Sequence, residues 1–182
     1  MNNSKKNIRG LVQVYTGNGK GKTTAAVGSA IRALGQGLRV CFVQFFKNDK
    51  KFSYGEQKIF SQLKNLEFHC FSPHHPRLEK MVDDAEIRQG CRQGMEFIKN
   101  IFLRNNFDLL IIDELNIALR DGFLSPETVI GLLKNKPAKM EVIITGRGAS
   151  KELMEYADLV TEMLPVKHPY DKGIPCRKGI EY

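Results

Sequence analysis

The sequence predicts an α/β fold, a mostly parallel sheet of about six strands with helices on both faces. Two observations predict it. Short β-rich apolar runs alternate with longer helical stretches along the chain, and the first apolar run passes directly into a glycine-rich loop and then an Ala-rich helix. Sheets of this kind bind ligands at the carboxyl ends of their strands, so candidate site residues are sought there.

The strand runs are Leu11 to Tyr15, Val40 to Phe46, Leu66 to Phe71, Leu109 to Ile112, Val142 to Thr145 and Leu159 to Met163. Thr23 to Leu34 reads as a helix ending near Gly35 and Gly37, and Cys91, Met95, Ile98 and Phe102 mark one face of another at spacings of four, three and four. No repeat or linker interrupts the 182 residues, a length suited to one α/β core, so 1–182 is read as one domain. From Pro165 to Tyr182 the apolar periodicity stops and Pro, Gly and Lys take over, so 165–182 is expected to be an irregular C-terminal tail.

Composition narrows the function classes. No apolar run approaches the roughly 20 residues of a membrane span, and the polar start Met1 to Asn7 is followed by a strand-like segment, so neither membrane nor export signal is expected. The cysteines Cys41, Cys70, Cys91 and Cys176 are widely spaced with no Cys-x-x-Cys pair, which fits reduced thiols and a cytoplasmic location. The net charge of +8 comes from short basic clusters without interleaved aromatics, so nucleic acid is not expected as the main substrate.

The first strand feeds Thr16-Gly17-Asn18-Gly19-Lys20-Gly21-Lys22-Thr23-Thr24. Glycines let the backbone curl so that successive N–H groups face phosphate oxygens, and the positive end of the following helix reinforces that field. Gly17, Asn18, Gly19, Lys20, Gly21, Lys22, Thr23 and Thr24 are therefore the candidate ATP-binding residues, with Lys22 as a point charge and the Thr23 hydroxyl for Mg²⁺. Hence the sheet is read as P-loop NTPase-like (RecA-like). The loop is one residue short of the usual form, with Thr16 where a glycine normally stands, which points to chemistry on ATP other than attack of water at the γ-phosphate.

Asp108-Leu109-Leu110-Ile111-Ile112-Asp113-Glu114 resembles a Walker B strand and makes Asp113 and Glu114 candidate metal carboxylates. In Ile143-Ile144-Thr145-Gly146-Arg147-Gly148, Arg147 follows a buried strand and is a candidate phosphate clamp.

Together with Val43-Gln44-Phe45-Phe46-Lys47, Ala157 to Met163, Pro165-Val166-Lys167-His168, Asp171-x-Gly173 and Lys178 to Glu181, these motifs resemble the P-loop type of ATP:corrinoid adenosyltransferase over nearly the whole chain. The resemblance implies transfer of the 5′-deoxyadenosyl group of ATP to cobalt(I) of a corrinoid, cobalamin or a precursor, with release of triphosphate. It implies Lys22, Arg147 and Phe71 as catalytic residues, Phe71 as the wedge that keeps the lower axial ligand off cobalt. Pro73 stands where the family pattern has tryptophan, which implies a reshaped corrinoid side. A homodimer and a flavin-type reductase partner are further implications. His74 and His75 read as surface histidines, since a strong axial ligand opposes cobalt(I), and His168 falls in the family-like tail. Three rivals are a nucleoside kinase-like enzyme, a nucleic-acid-stimulated ATPase and a regulatory ATP-binding module; the first usually carries paired zinc cysteines, absent here.

Overall fold

The computed structural model describes residues 9–47, 54–72 and 83–181. Pro73, His74 and His75 lie outside the described residues, as do the first residues of the chain. Six strands form one sheet in the order β3-β2-β4-β5-β1-β6, every pair parallel. They are β1 Val12–Thr16, β2 Val40–Phe45, β3 Leu66–Phe71, β4 Leu109–Asp113, β5 Glu141–Thr145 and β6 Leu159–Glu162. The expected run to Phe46 stops one residue earlier because Phe46 turns left-handed at φ 59°. Its N–H donates to the Ser72 carbonyl at 2.9 Å instead of continuing along the strand.

Helices cover both faces, and the pleat decides which residue meets which layer. Val40, Phe42, Leu109, Ile111 and Ile143 pack with Ala26, Ala30 and Ala33 of α1 (Lys22–Gly35) and with Phe60 of α2 (Gly55–Phe60). The three alanines lie on one helical face and their small side chains allow α1 to lie close on the sheet. The residues between, Cys41, Val43, Leu110, Ile112, Val142 and Ile144, point the other way into the larger cluster with α3 (Asp84–Arg104). The predicted stripe of Cys91, Met95, Ile98 and Phe102 is the buried face of α3. Its start is capped by Asp83, which accepts from the Ala85 N–H, and its end by Asn105 in the left-handed conformation.

Three further helices complete this layer: α4 (Leu115–Arg120), α5 (Pro126–Leu133) and α6 (Lys151–Tyr156). Ser125 and Ser150 cap α5 and α6 by accepting from the N–H three residues on, and Pro126 fills the first position of α5. Among the described residues after β6 the chain forms one short 3₁₀ turn, Pro169–Lys172.

Candidate active site

Four strand ends meet at one edge of the sheet. One strand, β5, separates β1 from β4, as in RecA-like folds, so the glycine loop and the acidic strand end flank the end of β5. The loop begins at Gly17 with φ +92°, where a Cβ would stand 2.4 Å from the carbonyl oxygen of Met163. Met163 therefore runs against the loop from the far side, and its carbonyl accepts from the Gly19 N–H at 2.7 Å. Gly17→Ala is expected to cost about 1–3 kcal/mol of stability from backbone strain and close contact, and to weaken ATP binding; thermal unfolding and nucleotide titration measure both.

Gly21 is the N-cap of α1 and offers no side chain to its first turn, which also lacks an acidic residue. The first N–H groups of the helix are thus left for an anionic ligand. Lys22 is buried, and its Nζ donates to the carbonyls of Gly17 at 2.8 Å and Gly19 at 2.7 Å. Burial pulls the Lys22 pKa down, with Arg147 adding to the effect and Glu114 and Asp113 opposing it. Asn18 and Lys20 are exposed in the loop, and Thr24 is exposed in the first turn of α1.

Thr16, where the usual loop has glycine, is buried, and its hydroxyl accepts from the Ala149 N–H at 3.1 Å. The shortened loop therefore ties β1 to the segment that carries Arg147.

Asp113 is the hub of the site. It is fully buried and accepts four side-chain hydrogen bonds: from Thr23 Oγ1 at 2.8 Å and Thr145 Oγ1 at 2.6 Å on Oδ1, and from Gln44 Nε2 and Lys47 Nζ, both at 2.9 Å, on Oδ2. Burial pushes its pKa up, but the Lys47 charge and the bonds from Thr145, Lys47 and Gln44 outweigh that and hold the carboxyl below its ordinary range. Lys47 in turn is pulled down by burial and raised further by Asp113 and Glu114, so its pKa ends above the ordinary lysine value. Its Nζ also lies 5.2 Å from the centre of the Tyr54 ring.

Glu114 behaves in the opposite way. Its backbone is left-handed, φ 65°, and its Oε2 is buried with no hydrogen-bond partner among the described residues. Burial and the neighbouring Asp113 raise its pKa against the pull of Lys47, Lys22 and Arg147. A carboxyl with a raised pKa favours folding below its ordinary value and loses that contribution as pH rises through the folded one. Glu114→Gln is therefore expected to raise the unfolding midpoint at pH 7 without nucleotide or Mg²⁺, with the gain shrinking as pH falls through the raised folded pKa and gone below 4.5, the ordinary carboxyl value. Thermal scans across that range test it.

These oxygens fit Mg²⁺. The cation is hard and takes hydroxyl and carboxylate oxygens, usually with one or two carboxylates plus substrate phosphates completing its shell. Thr23 Oγ1, Asp113 and the unpartnered Glu114 Oε2 provide that chemistry. Among the described residues no group of three or more His, Cys, Asp or Glu forms a dedicated metal cage.

Arg147 is exposed just after β5, close enough to Glu114 and Lys22 to act on both electrostatically. Phe71 stands at the end of β3, partly buried, with its ring centre 6.3 Å from that of Phe45 and 5.3 Å from that of Phe97. The structure thus gathers the glycine loop, Asp113, Glu114 and Arg147, and sets Phe71 two strands beyond β4. Sequence reasoning gave no role to Gln44, Thr145 or Asn116, and quoted Lys47 only as part of a motif. A signal existed: Gln44 is the single polar residue of an otherwise apolar β2, and Thr145 follows the apolar run Val142 to Ile144, and a buried polar group needs a partner.

A glycine loop between a strand and a helix, with a buried carboxylate holding the loop threonine, on a six-stranded parallel sheet defines a P-loop NTPase-like fold. The chain belongs to the ATP:corrinoid adenosyltransferase BtuR/CobO/CobP family, which it matches over residues 8–182. It is 36% identical over 182 residues to the corrinoid adenosyltransferase of Escherichia coli (strain K12), covering 96% of this chain and 86% of that protein. The corrinoid adenosyltransferase of Pseudomonas aeruginosa is 35% identical over 177 residues, covering 96% and 84%. That of Sinorhizobium sp is 32% identical over 180 residues, covering 98% and 83%.

Proposed function

We propose that the chain is a single nucleotide-binding domain, 1–182 with 165–182 as its tail, that transfers the 5′-deoxyadenosyl group of Mg-ATP to cobalt(I) of a corrinoid and releases triphosphate. Family membership carries the reaction class, since ATP and a corrinoid are the family's substrates. The observation that supports this chain's own site is the convergence at one sheet edge of Gly17 to Thr24, Gln44 to Lys47, Asp113-Glu114 and Gly146 to Gly148.

In this reading the loop N–H groups and Lys22 bind the triphosphate, Lys22 giving up its contacts to the Gly17 and Gly19 carbonyls for phosphate oxygens. Thr23, Glu114 and, through water, Asp113 would hold Mg²⁺, and Asp113 also orients Thr23 while Lys47 balances its charge. When bound, the metal neutralises part of the triphosphate charge. The cobalt(I) electron pair attacks the 5′ carbon, the C5′–O bond breaks, and its electron pair leaves with the triphosphate. Lys20, Lys22 and Arg147 stabilise that developing charge, so no water requires activation. Phe71, braced by Phe45 and Phe97, offers an apolar ring to the corrinoid face and excludes an axial ligand.

A flavin-type reductase as electron donor, a homodimer and a cytoplasmic location belong to the same proposal. Among the described residues no cysteine is in a disulfide, and no described helix is long and apolar enough to cross a membrane.

The test is anaerobic mixing with chemically reduced cob(I)alamin and Mg-ATP. The expected result is a light-sensitive alkylcobalamin spectrum with triphosphate released in equal amount to cobalt consumed. ATP turnover to ADP that rises with DNA, and no alkylcobalamin, would overturn the reading.

A further inference from the structure

Asn116 is fully buried in the first turn of α4, among the apolar residues Leu115, Ile117, Ala118 and Leu119. An amide in such surroundings has to be satisfied by other polar groups. Its Nδ2 donates to the Gly146 carbonyl at 3.1 Å, which fixes the orientation of the amide, and its Oδ1 has no partner among the described residues. An apolar side chain of similar size would avoid the cost of that orphan oxygen, about 1–3 kcal/mol, so packing alone does not account for an asparagine here.

The bond has a specific target. Gly146 has φ +129°, and a Cβ there would lie 2.9 Å from Asn116 Cβ, 3.1 Å from Asn116 N and 3.2 Å from Glu114 Oε2. The peptide is therefore pressed against the corner between β4 and α4. On its other side the Gly146 N–H donates to the Tyr15 carbonyl at 3.2 Å, and Ala149 N–H to Thr16 Oγ1 at 3.1 Å, both at the end of β1. The segment bearing Arg147 is thus tied to the glycine-loop strand by two bonds and to the acidic strand by Asn116.

We propose that Asn116 is a positioning residue for Arg147, its amide holding the Gly146 peptide so that the guanidinium stays over the triphosphate beside Lys22 and Glu114. The inference rests on the reading of Arg147 as a triphosphate clamp. It assigns Asn116 no contact with substrate, and its effect is transmitted through one main-chain carbonyl.

The test is a double-mutant cycle on the full chain, with Mg²⁺ and inorganic triphosphate as the titrated probe and adenosine as the control. Arg147→Ala is expected to weaken triphosphate binding about tenfold through loss of a charge-assisted contact. Asn116→Ala alone should weaken it about threefold to tenfold, and the double variant should bind no more weakly than Arg147→Ala. Adenosine affinity should be unchanged throughout, which a general loss of structure would not leave intact. Equal losses from Asn116→Ala in both backgrounds, or no loss at all, would overturn the positioning role while leaving the clamp standing. Unchanged triphosphate affinity in Arg147→Ala would overturn the clamp itself and the inference with it. If Asn116→Ala does not fold, Asn116→Ser, which keeps a hydroxyl donor, enters the same cycle.

Discussion

Lys22→Ala is expected to abolish measurable adenosyl transfer while the fold stays intact. The Lys22 ammonium is enclosed by the glycine loop and contacts two of its carbonyls, so it sits where the loop's N–H groups converge and where triphosphate charge must be met. Removing a preorganised cation at developing negative charge costs about 10²–10³ in rate, and the loss should appear in both Mg-ATP affinity and kcat/KM. The variant leaves the carbonyls of two buried glycines without this partner, so a modest loss of stability is expected with the fold retained. Triphosphate release, nucleotide titration and far-UV circular dichroism measured on the same preparation check all three parts. Undiminished turnover would remove the loop from the mechanism.

Asp113→Ala should have the largest combined effect, on stability and on activity. Four donors from three parts of the chain converge on this one carboxylate, and one of them is the Lys47 ammonium, whose side chain is only 13% exposed. Truncation leaves a nearly buried cation without its partner, a loss of about 3–5 kcal/mol in comparable cases. It also releases Thr23, so Mg-dependent ATP binding falls even in the folded fraction. The pH dependence has a definite sign. A carboxyl with a depressed pKa binds fewer protons when folded, so its contribution is present above its ordinary value of 3.8 and is lost as pH falls through the lower folded value. Wild type should therefore lead Asp113→Asn in unfolding midpoint at pH 7, with the lead narrowing as pH falls below about 4. A constant lead across that range would mean that Asp113 is not held as a buried anion.

Much of this site was legible before any coordinates. The strand, glycine loop and helix in succession demand positive φ at fixed places and an Ala-rich face, and these are local properties of the residues. The stripe on α3 and the apolar runs of all six strands were visible for the same reason. Helices α2, α4, α5 and α6 were not, because each is only six to eight residues long and too short to display a helical period. The end of β2 was missed by one residue, because only the contact between Phe46 N–H and Ser72 explains why the strand stops there.

The sequence by itself determined the kind of fold, the glycine loop between β1 and α1, the acidic strand end and the family, since each depends on neighbouring residues or on motifs in order. Tertiary structure alone decided the sheet order, and with it who meets whom across the site. It placed Gln44 and Lys47 on Asp113 from 69 and 66 residues away, Asn116 on Gly146 across 30, and Met163 against Gly17 and Gly19. The physical reason is that parallel strand pairing and buried charge satisfaction are settled by packing over the whole chain. A lone glutamine or lysine at a strand end shows no local sign of the partner it will find.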